Sequence, residues 1–205
     1  MSMQITFTRR GNSGPAAAIA VRDAGTAIEI PGPQTGDKLP HDLVHYVVEA
    51  ELELRFGFWG LLAAGAEFSN VLVVNRRGKR PSPRGRQLIR EHRDDLVEAE
   101  ALAGTFTAIW RGDARHDDDW PQVRARLANT WTHRPQRRPI GPADVERVCA
   151  ALDALQFRWQ YLPADEALTL YWPPGSAPAG RGRAALRPAS GKDDPSDPSE
   201  DPGVA

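Results

Sequence analysis

Three short runs of alternating apolar residues near the start limit this chain more than any other feature. Ile5 and Phe7 alternate with Thr6 and Thr8, Ile19 and Val21 repeat the pattern, and Ile28 and Ile30 repeat it again. A period of two is the signature of a strand. Between the runs lie turn-forming clusters, Gly-Asn-Ser-Gly-Pro at residues 11–15 and Asp-Ala-Gly at residues 23–25. Short strands joined by such turns make an antiparallel meander, and Pro-Gly-Pro at residues 31–33 closes it.

A helix is predicted next, from about Pro40 to Arg55. Proline suits its start, because the missing N–H would have no partner there anyway. Asp42 falls in the first turn, where its charge favours the positive end of the helix dipole. Leu43, Val47, Ala50 and Leu54 make the apolar face, widened by Val44, Val48 and Leu52. At 100° per residue, His41, His45 and Glu49 lie within about 80° of one another on three successive turns. The two imidazoles therefore border both the core face and an acidic face of Asp42, Glu49 and Glu53.

Gly57 and Gly60 break this helix, and a short helix rich in small residues runs from Leu61 to Phe68. Residues 71–74, Val-Leu-Val-Val, form an apolar run that is either a strand or the close of the helical hairpin. Residues 76–86 are a basic, proline-broken loop without an aromatic side chain. A long helix is predicted from about Gly85 to Trp110, another from Trp120 through Trp131, and another from Gly141 onward. Phe157, Trp159 and Tyr161 alternate, as do Leu168, Leu170 and Trp172, with Pro-Ala-Asp between them. This pattern predicts a hairpin that either joins the meander or stands alone. The fold class expected is α+β: an N-terminal antiparallel meander, four to five packed helices and a C-terminal β-hairpin.

Composition sets the domain boundary. Beyond Pro173 the chain is proline, glycine, serine and charge, which cannot bury enough apolar surface to fold. One domain over residues 1–173 and a disordered tail over 174–205 are expected. Removing the tail's four basic and five acidic residues from the chain's 26 and 27 leaves 22 of each sign. A neutral body gives no global case for nucleic acid or for an anionic membrane. The N-terminus lacks a signal-peptide pattern, and no apolar run approaches the ~18 residues of a membrane span. Cys149 is the one cysteine, so no internal disulfide can form. A cytoplasmic location and no membrane contact are expected.

The segment His41-Asp42-Leu43-Val44-His45 resembles the HExxH motif of the zinc metalloproteases, the zincins. In that motif two histidines one turn apart bind zinc, and the glutamate between them is the general base. Here Asp42 takes the base position, one methylene shorter. The resemblance spans five residues. It implies His41 and His45 as ligands to zinc or another divalent metal. A third ligand would come from the second long helix, where Glu98 is taken as that ligand and Glu100 is also available. Glu49 is the further candidate, as base with Asp42 or as a ligand on the same helix. The bland reading of the same residues is two half-buried structural histidines, each donating an N–H to a carboxylate or carbonyl.

The other candidates carry less. Arginines of residues 76–93 suit phosphate contact, but Glu91, Asp94 and Asp95 offset them and no aromatic is present for base stacking. His116 beside Asp117, Asp118 and Asp119 suits a solvated acidic loop. The six tryptophans are spread over several elements and anchor a core. Lacking a complete catalytic set, the chain is expected to be a non-catalytic accessory or interaction protein that meets a protein partner or small molecule. The alternative is a metal-dependent, zincin-like HDxxH hydrolase built on His41 and His45, with nucleic-acid contact through residues 76–93 a weaker third.

Overall fold

A computed structural model describes residues 2–9, 17–32, 37–74, 82–112, 120–130 and 139–175. The turn at residues 11–15, the basic residues 76–81, His116 with its aspartates, His133 and the tail from residue 176 lie outside the described residues.

The meander is present. β1 (Met3–Thr8), β2 (Ala17–Arg22) and β3 (Ala27–Pro31) pair antiparallel in sequence order. α1 (His41–Glu51) follows, then α2 (Phe58–Ala64) and the two-residue strand β4 (Leu72–Val73), which pairs with β3. α3 (Pro83–Glu91), α4 (Arg93–Arg111), α5 (Trp120–Thr130) and α6 (Pro142–Gln160) precede the last strand, β5 (Ala167–Trp172). The five-stranded sheet has the order β4-β3-β2-β1-β5. Mixed helices and an antiparallel sheet make this an α+β fold, as the alternation and helix periods predict.

The C-terminal hairpin is not formed. Phe157 and Trp159 belong to α6, and Tyr161 is its cap. The stripe Val145, Val148, Cys149, Leu152, Leu155 and Trp159 is buried along one helix at spacings of three and four. Three alternating aromatics are too few to separate a strand from a helix end whose middle residue faces inward. β5 alone is a strand, and it extends the meander by pairing with β1. The long helix expected from Gly85 to Trp110 divides at His92, whose φ of −113° and ψ of 26° leave the helical range, giving α3 and α4. That division raises the count to six helices among the described residues.

One face of the sheet is covered by helices. Met3, Ile5, Phe7, Ile28, Ile30, Leu168 and Trp172 point into it. In β2 the apolar pattern is inverted relative to size. Ala18 and Ala20 face the core, while Ile19 is 44% exposed on the outer face. The register explains the fit, since Ala18 lies between Phe7 and Ile30 and Ala20 between Ile5 and Ile28. Small residues in the middle strand, flanked by large ones, leave a furrow for helical side chains. Trp59 of α2 meets Phe7 edge-on, with centroids 5.8 Å apart.

α1 is the central helix. It contacts α2, α4 and α6, and Leu43, Val44, His45, Val47, Val48 and Glu49 are all buried in it. Its exit is fixed by Arg147, which donates to the Glu51 backbone carbonyl (2.8 Å) and side chain (2.9 Å). Glu53 turns the chain at φ 55°, and the chain then enters α2. Arg22 in turn closes α2, donating to the carbonyls of Leu62 and Ala66, both at 2.7 Å. The last carbonyl of α1 is thus met by an arginine reaching across the fold, and the end of α2 gains an arginine donor besides its own capping amides.

Candidate metal centre

The site begins with a buried carboxylate. Glu49 has no exposed surface, a costly position for a charge unless every oxygen is engaged. Its Oε1 accepts from the Phe58 N–H (2.9 Å) and its Oε2 from the Trp59 N–H (3.0 Å), the first free amides of α2. Close approach at the preceding residue makes this possible. A Cβ at Gly57 would overlap the Glu49 carboxyl group, so only glycine fits there. The Trp59 indole N–H donates to the Asp42 carbonyl (3.0 Å), tying α2 to the first turn of α1 as well.

Glu49 also fixes His45. The imidazole Nδ1–H points at Glu49 Oε1 across 3.3 Å, one helical turn away. With Nδ1 so engaged, Nε2 is the outward nitrogen, and it lies 3.0 Å from Glu100 Oε2 of α4. His41, one turn earlier and exposed, places Nε2 3.8 Å from the other Glu100 oxygen, Oε1. The two imidazole rings meet at 70° with centroids 4.7 Å apart. One donor atom from each of His41, His45 and Glu100 lies within 4.8 Å of the others. Zinc ligands at about 2.0–2.1 Å in a tetrahedron stand about 3.3 Å apart. His45 and Glu100 are already at that separation; the exposed side chain of His41 has the freedom to close the rest.

Charge around the pair is uneven. Burial pushes the His45 pKa down, but the hydrogen bond it donates to Glu49 and the charges of Glu49, Glu100 and Asp42 outweigh it, so the value is raised. Burial raises Glu49, against the opposing hydrogen bonds of His45, Trp59 and Phe58. Burial likewise raises Asp42, against the two histidines. Two backbone donors hold Glu49 as the acceptor, so the proton of the His45–Glu49 contact belongs on Nδ1.

Sequence reasoning places four of its five candidates here. His41 and His45 are donors facing a common point, Asp42 lines the adjoining cleft, and Glu49 lies behind His45. Both Glu49 oxygens are engaged by the Phe58 and Trp59 amides and by His45, so it stands behind the donors rather than among them. Glu98 is not in the group; Glu100 occupies the position expected of it. The two glutamates flank opposite sides of the α4 stripe Ala99, Leu102, Ala103 and Phe106, and nothing in the sequence says which flank meets α1.

The donors open onto a cleft of about 650 Å³ between α1, α4 and the segment after α2. A second hollow of about 690 Å³, beside Ala50, Glu53, Arg55, Ala63 and Trp172, has no histidine or cysteine in its wall. His92 serves structure instead, with Nδ1 3.0 Å from Asp95 Oδ2 and its ring stacked on Phe56 at 3.9 Å. Cys149 is buried in α6. Among the described residues no helix is long and apolar enough to cross a membrane. No family model, curated protein or solved structure matches the chain.

Proposed function

We propose that the chain holds one divalent transition-metal ion through His41, His45 and Glu100 and presents it to the adjoining cleft. The observation that carries this is the orientation of His45. Its Nδ1–H is committed to the buried Glu49, and its Nε2 faces a carboxylate at 3.0 Å. With the proton of the Glu49 contact on Nδ1, Nε2 and the Glu100 carboxylate are two acceptors facing each other, which a cation between them would satisfy, and His41 adds a third donor near the same point. A carboxylate behind a ligating histidine is the recurring second layer of metal sites, fixing the tautomer and raising ligand basicity. Three protein donors leave a metal with open positions, the pattern of reactive rather than closed structural sites. Imidazole with carboxylate suits zinc, iron or manganese. A metal-dependent hydrolase would use this arrangement with Asp42 as proton acceptor.

A second reading has its own support. The cation between His45 and Glu100 is then a proton, and the raised His45 pKa favours it. His45 becomes an ion-pair link between α1 and α4, and the protein an interaction module. Its exposed sheet face supplies a surface, because Leu72, Glu29, Ile19 and Thr6 are cross-strand neighbours in one row with a single charge.

Metal content separates the two. The full chain, purified without a histidine tag or chelator, is examined by mass spectrometry beside a His41→Ala/His45→Ala control. About one zinc, iron or manganese per chain, lost in the control, supports the metal reading. No metal, and no thermal shift on adding any of the three, leaves the interaction reading.

A further inference from the structure

We infer that the cleft beside His41, His45 and Glu100 takes a small molecule with an aromatic body and an oxygen-donor head that completes the metal's coordination. This rests on the metal reading above and adds the class of ligand to it.

The wall of the cleft carries the inference. Next to the donors stand Phe58, Phe68, Leu96, Val97 and Ala99, with Asn70 the neutral polar side chain and no lysine or arginine among the described lining residues. Phe58 and Phe68 lie side by side, with centroids 5.0 Å apart and planes tilted by 32°. Phe58 also meets Trp59 edge-on at 5.0 Å, so its ring is held by the core behind it. A rigid pair of phenyl faces offers a third ring the offset or edge-on contact that aromatic groups prefer. Val97 of α4, 61% exposed, adds a large apolar side chain to the lining that is left facing water.

The charge pattern selects the head group. Among the described lining residues no cationic side chain stands ready to pair with a phosphate or a polyanion. Asp42 and Glu100 add negative charge at the donor end. A neutral or singly charged chelating oxygen group is the head that fits. A volume of about 650 Å³ is in the range of small-molecule sites. An apolar wall with few polar groups at one end is their usual composition.

The test uses the full chain loaded with cobalt(II), whose visible absorption reports ligands entering its coordination sphere. Acetohydroxamate and benzohydroxamate share one chelating head and differ in the ring. Benzohydroxamate is expected to bind about ten-fold tighter or better, since ring burial adds directly to affinity. In Val97→Ser, which brings no charge to the turn before Glu100, the preference for the ring shrinks, with cobalt affinity measured beside it. Cobalt uptake with equal affinity for the two hydroxamates overturns the inference while sparing the metal reading. So does a ring preference that survives undiminished in Val97→Ser. Failure of cobalt to bind at all removes both.

Discussion

His45 Nε2 and Glu100 Oε2 lie 3.0 Å apart across the junction of α1 and α4, while the opposite edge of the same ring rests on Glu49. One imidazole thus links a fully buried carboxylate to an exposed one. On the metal reading proposed above, Glu49 holds the ligand His45 from behind.

Glu49→Gln tests that support. The amide keeps one acceptor but turns an N–H₂ toward a backbone N–H that needs an acceptor. Loss of a hydrogen-bonded buried charge is expected to lower stability by about 1–3 kcal/mol. Metal affinity should fall about 10–100-fold, the usual effect of removing such a partner. Competition titration with a chromogenic chelator reads the second effect, and thermal unfolding the first. Unchanged affinity would mean that Glu49 supports the fold alone.

pH moves the two readings in opposite directions. The His45 pKa is raised above its ordinary 6.5 in the fold. For a group raised on folding, the stabilisation is complete below the unfolded value and is lost as pH climbs through the folded one. Asp42, Glu49 and Glu100 face this ring; burial raises Asp42 and Glu49 as well, so by the same rule they favour the fold below the ordinary carboxylate range and lose that contribution as pH climbs through their folded values. The chelator-treated protein should therefore lose melting temperature from about pH 6.5 upward, and His45→Gln should flatten that limb. Metal uptake needs a free Nε2 and should strengthen over the same rise. Melting curves with chelator and with zinc, taken across the range, distinguish the two trends.

Two glycines predict opposite outcomes. Gly57→Ala forces a methyl group into the Glu49 carboxyl, at an expected cost of about 1–3 kcal/mol. Gly104 sits exposed inside α4 with open space where a Cβ would go. Gly104→Ala should stabilise by about 0.5–1 kcal/mol through helix propensity alone. Urea unfolding of the two variants checks both signs.

Arg22→Leu removes the donor pair that closes α2. The Ala66 carbonyl then loses its side-chain donor and the Leu62 carbonyl keeps only the Gly65 N–H, and destabilisation of about 1–3 kcal/mol is expected. Arg84→Leu, on the exposed face of α3, should stay within about 0.5 kcal/mol. Equal effects from the two would show that the reach of Arg22 adds nothing.

The legible parts of this fold are those with a long or repeated signal. The meander shows in three alternations and their turns, and α1 in its start, its apolar width and the 41/45/49 spacing. What stayed hidden needed knowledge of a neighbour. Ile19 and Val21 mark β2 as a strand, yet its core face is Ala18 and Ala20, because the flanking strands supply the bulk. Glu98 and Glu100 are equivalent until α4 is docked. The Phe157–Tyr161 alternation reads as strand only when separated from the longer stripe of α6. A turn-by-turn count back to Val145 would have recovered the helix.

The position of β5 sets the order in which this protein can come together. β1 lies between β2, its nearest neighbour in sequence, and β5, which begins at Ala167. During synthesis the meander can close early on local turns, but one edge of β1 then stays open until nearly all the helical residues have been made. The Tyr46 hydroxyl, which donates to the Tyr171 carbonyl at 2.8 Å, waits for the same strand. A ribosome stalled in α6 would therefore carry a chain with its sheet edge bare, and that half-made chain, more than the finished one, is the form most in need of a chaperone.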